Sequence, residues 1–295
     1  MLIHAMYKKR GIRMLKKVLF VVLLIAAIGY LTLSGRAVQE YALQTKVLDE
    51  ASGLACSKIN NGILWSHNDS GGKAAVYAID TQGRLVCTVQ LEGIKNRDWE
   101  ELSLTTDPKT GKSYLYVGEI GDNAARYESG KFYKLEEPVL SRKDTLITVQ
   151  EIETFEFTYS DGARDAEAFF VQPQTGDIYI ISKREEEVGL YRLSAPSSQH
   201  KNTAVKLRTL PLSWVTAANL SPNGKNLLIK TYTGVFRYKT RLDKSGVLKL
   251  SNKPRVMPYK VEPQGEGLCW DAKGKGYYTL SESAEDVPQV LYYYK

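Results

Sequence analysis

A unit of roughly fifty residues recurs five times between residue 52 and the C-terminus, and no other property of the chain narrows its fold as much. Each copy opens with a polar residue followed by alternating apolar positions: Ser52-Gly-Leu-Ala-Cys-Ser, Glu100-Glu-Leu-Ser-Leu-Thr, Glu167-Ala-Phe-Phe-Val-Gln, Thr216-Ala-Ala-Asn-Leu-Ser and Glu266-Gly-Leu-Cys-Trp-Asp. A turn glycine follows each one, at Gly62, Gly111, Gly176, Gly224 and Gly274. Second strands come next, as in Tyr114-Leu-Tyr-Val, and then third strands, as in Gly189-Leu-Tyr-Arg-Leu. Fourth strands fit residues 85–89, 152–159, 205–210 and 255–261. The opening residues stand 48, 67, 49 and 50 positions apart, about what a four-stranded antiparallel blade needs. Short strands at this regular spacing, with no amphipathic helix after residue 45, predict an all-β fold. The expected architecture is a β-propeller of five four-stranded blades.

The long interval is expected to hold a loop insertion over residues 136–152 rather than a missing blade. The fifth repeat ends after three strands, so its fourth is expected from residues 41–48. That N-terminal strand would close the last blade and remove an exposed edge. Residues 38–295 thus read as one propeller domain.

The first strand of each propeller blade lines the central channel, so the opening residues of the repeats should converge around one axis. That ring reads Ser52, Glu100, Glu167, Thr216, Glu266. Three carboxylates around an axis raise one another's pKa unless something compensates them. A hard cation would do so, and donors that are all oxygen favour Ca²⁺ over zinc or copper. Water and neighbouring Lys or Arg are the alternative compensation.

The ring order resembles that of the calcium-activated nucleotidase (apyrase) family, five-bladed propellers with one Ca²⁺ in the channel held by Ser and Glu of inner strands. Thr216 stands in place of that family's fourth ligand. Trp65-Ser-His-Asn-Asp-Ser-Gly and Tyr114-Leu-Tyr-Val-Gly-Glu-Ile-Gly are similar to its strings as well. The resemblance implies the fold and the metal more than it implies nucleotide hydrolysis. His67-Asn-Asp-Ser-Gly, Asp98-Trp-Glu-Glu, Gly121-Asp-Asn, Arg164-Asp-Ala-Glu-Ala, Leu220-Ser-Pro-Asn-Gly and Gln264-Gly-Glu-Gly resemble strings of exported bacterial propellers more closely, and that likeness implies no activity.

Second strands return toward the mouth of the channel, and their ends are polar. Asp69, Glu119 and Glu282 are candidates for a general base toward water. Asn68, Asp122, Asn123, Arg126, Arg164, Lys183, Arg184 and Lys230 are candidate ligand contacts, the cations among them suited to phosphate or carboxylate. A solvated rim of local ion pairs would use the same residues. His67 fits a hydrogen bond within a turn better than a proton shuttle, because Asn-Asp-Ser-Gly is itself turn chemistry. With no Gly-rich phosphate loop, G-x-S-x-G elbow or H-E-x-x-H motif, nucleophilic Ser or Cys catalysis has no support.

The net charge is +7, yet Lys8, Lys9, Arg10, Arg13, Lys16 and Lys17 carry six of those charges in a segment without acids. The remainder is close to neutral, which excludes nucleic acid as the default partner. Lys16-Lys17 followed by an apolar run over residues 18–33 read as an export signal, with Met14 a plausible true start and cleavage after Ala37. Residues 1–37 would then be removed, leaving a periplasmic or extracellular protein; the alternative is a retained membrane anchor. Cys56, Cys87 and Cys269 form neither a disulfide pattern nor a zinc motif and read as buried apolar residues.

Two functions follow. One is a Ca²⁺-dependent hydrolase of phosphate-containing or other anionic substrates. The other is a non-enzymatic propeller that binds a surface glycan or a protein around a structural metal.

Overall fold

The computed structural model describes residues 38–284 and 287–295. The expected export segment, residues 1–37, lies outside the described residues. Strand β1 (Val38–Ala42) precedes the first repeat, which holds β2 (Ala51–Cys56), β3 (Ile63–Asn68), β4 (Ala75–Asp80) and β5 (Leu85–Leu91). The second repeat holds β6 (Trp99–Thr106), β7 (Ser113–Glu119), β8 (Gly130–Glu136), β9 (Leu146–Val149) and β10 (Glu153–Tyr159). The third holds β11 (Ala166–Val171), β12 (Ile178–Ser182), β13 (Val188–Leu193) and β14 (Asn202–Leu210). In the fourth are β15 (Val215–Leu220), β16 (Asn226–Thr231), β17 (Gly234–Leu242), β18 (Leu248–Leu250) and β19 (Arg255–Met257). The last contains β20 (Gly265–Trp270), β21 (Tyr277–Ser281) and β22 (Val290–Tyr294).

The fold is all-β and propeller-like. The first strands of the repeats lie against one another in succession, β2 on β6, β6 on β11, β11 on β15 and β15 on β20, and β20 returns to β2. This closed order follows from burial. Strands β11 and β20 are buried at every residue, whereas β10 and β14 each bury only two positions. A strand covered on both faces belongs inside and an amphipathic one outside. The glycines between first and second strands all have positive φ, from 63° at Gly274 to 76° at Gly62. Tight turns of this kind need a residue without a Cβ, which is why the repeat is punctuated by glycine.

The core lies between neighbouring repeats. Phe132 of β8 packs on Phe169 of β11 with ring centroids 4.8 Å apart, and stacks on Phe157 of β10 at 5.1 Å. Trp65, Trp99, Val117 and Tyr133 join the first repeat to the second. Tyr179, Ile229 and Tyr238 join the third to the fourth, while Leu54, Tyr77 and Leu280 join the first to the last.

The strand count differs from a set of separate four-stranded sheets. The hydrogen-bonded sheets have four, eight, five and five strands. The eight-stranded one arises because β10 and β14, the outermost strands of adjacent repeats, pair in parallel from Phe157–Asn202 to Tyr159–Ala204. Residues 136–152, expected as a plain loop, contribute β9, which pairs in parallel with β5. Both additions cover edges that would otherwise stay open. At the N-terminus the strand is β1, residues 38–42 rather than 41–48, and it flanks β22 in the sheet order β1-β22-β21-β20. The chain just beyond it is fixed by Leu43 N–H donating to the Gln289 carbonyl at 2.9 Å.

Candidate metal centre and channel mouth

In every repeat the ladder between first and second strands slips by one residue near one end. Trp99 pairs with Glu119 and Glu101 with Gly118, which leaves Glu100 over. The same slip leaves over Glu167, Thr216 and Glu266. A β-bulge of this kind re-aims the extra side chain. The polar register seen in the sequence is therefore a register of bulges, and that is how three glutamates on different strands come to face one another. In the first repeat the slip falls one residue later, at Gly53, and Ser52 stays in the ladder opposite His67. Gly53 has φ of +67°, and a Cβ there would stand 2.7 Å from His67 Nε2 and 2.8 Å from the Leu102 amide nitrogen. Only glycine fits so close an approach.

One carboxylate oxygen each from Glu100, Glu167 and Glu266 lies within 4.8 Å of the others, and all three residues are buried. Glu167 Oε1 faces Lys183 Nζ in an ion pair, and Glu266 Oε1 accepts from the Tyr232 hydroxyl at 2.9 Å. The second oxygens of Glu167 and Glu266 are buried with no hydrogen-bond donor among the described residues. Burial, then the negative charges of Asp69, Glu266 and Asp98, push Glu100 well above the usual carboxylate range. The two hydroxyls of the ring tie neighbouring strands together. Ser52 Oγ donates to the Glu100 carbonyl at 2.6 Å and Thr216 Oγ1 to the Gly265 carbonyl at 3.1 Å.

A second acidic group adjoins the first and shares Glu100 with it: Asp69, Asp98 and Glu100 also bring carboxylate oxygens within 4.8 Å. Asp69 is half-buried, and burial followed by Glu266 and Asp98 raises its pKa to about 7. Glu282 rises to about 8, through burial and then Glu266, while accepting from Gln264 Nε2 at 2.5 Å. Both therefore titrate close to neutrality at the mouth.

The other candidate base, Glu119, is engaged: Tyr133 donates to it at 3.0 Å and Arg97 Nε stands 3.8 Å away. Most candidate ligand contacts are engaged too. Asn68 Nδ2 donates to the Val47 carbonyl at 2.7 Å. Asp122 accepts from the amides of Arg126 and Tyr127 at 2.8 and 2.7 Å, closing its own turn. Arg164 pairs with Asp161 and Glu185 at 2.7 and 3.0 Å and lies over the Tyr191 ring. Arg184 pairs with Asp165 at 2.5 Å and lies over Trp214. Lys230 is fully buried 3.2 Å from Glu262, and burial lowers its pKa. Asn123 and the guanidinium of Arg126 are exposed, and the latter has no ion pair among the described residues. His67 is fully buried, edge-on to Trp99, with Nδ1 2.8 Å from the Asn68 carbonyl; burial brings its pKa down to about 4, so it is neutral. The three cysteines are free thiols.

Two acids outside the candidate set hold the channel together. Glu101 Oε1 accepts from the amides of Leu54 and Leu102 at 3.1 and 2.9 Å, and its Oε2 from that of Ala218 at 3.1 Å. Glu262 takes the Tyr259 and Thr279 hydroxyls besides Lys230. The Glu100-Glu101 doublet is visible in the sequence, but nothing local says which member faces the axis.

No family model and no curated protein matches the chain. Solved structures similar to it include the holo PQQ domain of a pyranose dehydrogenase from Coprinopsis cinerea, with TM-score 0.46 and 8% identity over 88% of this chain and 98% of that one. A luciferin-regenerating enzyme gives TM-score 0.46 and 10% identity over 88% and 95%. An auxiliary nutrient binding protein from Bacteroides thetaiotaomicron gives 0.43 and 11% over 84% and 70%.

Proposed function

We propose that the chain is an exported five-bladed β-propeller whose channel binds a hard divalent cation, Ca²⁺ by its donor chemistry, and whose mouth engages a polyhydroxylated ligand such as a surface glycan. The observation that carries this reading is the pair of buried, donorless oxygens on Glu167 and Glu266 beside Glu100. A buried carboxylate oxygen without a donor is costly, and a cation supplies what the protein does not. Oxygen-only donors suit Ca²⁺. The blade count rests on the closed succession of first strands, with β5, β10, β14, β19 and β1 as the outer strands.

Four of the five candidate mouth cations, all but Arg126, are paired, which favours a neutral ligand over an anionic one. Arg164, Lys183, Arg184 and Lys230 already have carboxylate partners, so a phosphate would have to break those pairs. Metal-dependent hydrolysis is the second reading, and one feature favours it: Asp69 and Glu282, at about 7 and about 8, lie in the range useful for moving protons.

Melting curves in EDTA and in added Ca²⁺ test the metal. A Ca²⁺-dependent rise is expected, and its absence overturns the reading. Glycan binding should then exceed turnover of nucleotides, phytate or sugar phosphates. Turnover that depends on Glu100 and Glu167 would install the hydrolase instead.

A further inference from the structure

The two acidic groups meet at a single residue. Glu100 is 3% exposed, and no hydrogen bond reaches its carboxylate from the described residues. One of its oxygens faces Gly121, which forms a cradle: a Cβ at that position would run into Glu100 Oε1 and the Asp98 carboxyl. Glu167 and Glu266 bring carboxylate oxygens within 4.8 Å of it as well. A carboxylate with two oxygens and no protein donor, placed between two sets of carboxylates, has the form of a bridging ligand.

Charge argues the same way. The inner group of Glu100, Glu167 and Glu266 has Lys183 beside it, so one divalent ion brings that group to neutrality. Asp69, Asp98 and Glu282 remain. Asp98 is opposed by Arg97, which also stands 3.8 Å from Glu119. One ion in the inner group therefore leaves a second cluster of carboxyls around a half-buried Asp69 whose Oδ1 has no donor among the described residues.

We propose that the channel holds two divalent cations, an inner one among Glu100, Glu167 and Glu266 and an outer one among Asp69, Asp98 and Glu100, bridged by Glu100. This rests on the cation reading above and adds a second ion to it. The outer ion is the one reached from the mouth, and it is the one whose free positions a ligand's paired hydroxyls would occupy. Half-buried ligands also make it the weaker and faster-exchanging ion.

Native mass spectrometry and calorimetry with Ca²⁺ alone, on the full chain, decide the matter. Two bound ions are expected. Asp98→Asn should lose the outer ion, or weaken it by about tenfold or more, while keeping the inner one. Glu100→Gln should weaken both. Neither change removes a donor from a paired group, so both variants should fold, as their melting in EDTA will show. A single ion in the native protein overturns the bridged pair while leaving the cation reading intact. No bound ion overturns both. Two ions that are equally indifferent to Glu100→Gln overturn the bridge.

Discussion

Glu100 and Glu101 are consecutive, chemically identical and both buried, and burial pushes both above the usual carboxylate range, yet their partners differ. Glu101 accepts three backbone N–H groups, from Leu54, Leu102 and Ala218, so one carboxylate ties the first, second and fourth repeats. Glu100 receives none from the described residues and lies among Asp69, Asp98, Glu167 and Glu266. The bulge at Glu100 produces the difference by turning that side chain out of the ladder, while Glu101 re-enters it opposite Gly118. Buried acids of the first kind contribute to holding the fold. Acids of the second kind cost stability until something positive arrives. Glu262 and Glu137 belong with Glu101: Glu137 accepts from Trp65 Nε1 at 2.9 Å and from the Ser57 hydroxyl, clasping two repeats.

The sharpest way to break this comparison is to exchange the fates of the two neighbours. Glu101→Ala leaves three buried N–H groups without an acceptor and should lower the unfolding free energy by about 3–5 kcal/mol in chemical denaturation, with or without Ca²⁺. Glu100→Ala should be near neutral or stabilising in EDTA. If the two variants melt alike in EDTA, the distinction between them is wrong.

Next in size is the effect of the ion itself. Saturation at about a hundred times the dissociation constant stabilises a protein by about 2.7 kcal/mol, or roughly 5–10 °C for a domain of this length. Glu266→Gln should abolish that rise while leaving melting in EDTA unchanged or slightly higher, since the amide oxygen can still accept from Tyr232 and a like charge is gone. A full Ca²⁺ response in Glu266→Gln would remove Glu266 from the site.

Much of this was legible in the chain, because a repeat makes equivalence visible. A glutamate at one position is unremarkable, but Glu100, Glu167 and Glu266 share a register, and the structure brings them together. What was not legible depends on partners remote in sequence. Glu101 acquires its role from Leu54 and Ala218, which lie 47 and 117 residues away. Ser52 read as a member of the polar ring, and nothing in the sequence signals that the bulged residue of its repeat is Gly53, where only a glycine passes His67 at that distance. The mouth cations looked free as a list, yet the partners of Arg164 and Arg184 sit at the turns of the same repeat. The parallel pairing of β10 with β14 joins two outer edges, and no periodicity in either strand signals it.

The smallest expected effect concerns protons at the channel mouth. Asp69 stands at about 7 against an ordinary 3.8, and Glu282 at about 8 against 4.5. Both rise because the folded protein disfavours their charged forms, through burial first and then through Glu266, with Asp98 and Glu50 adding to Asp69 and Asp69 and Glu50 adding to Glu282. Between about pH 4 and pH 8 the folded chain therefore holds more protons at these sites than the unfolded chain does. Stability from them is fully present below the unfolded values and is lost as pH rises through 7 and 8. Partial exposure screens the effect, so a modest decline is expected. In EDTA the melting temperature should fall from pH 5.5 to pH 8.5. Asp69→Asn combined with Glu282→Gln should flatten that slope. In saturating Ca²⁺ the slope should flatten or reverse, because the ion binds the deprotonated forms that the empty channel disfavours. A metal-free melting temperature that climbs with pH would mean these carboxyls are already held in their charged forms by partners in the folded protein.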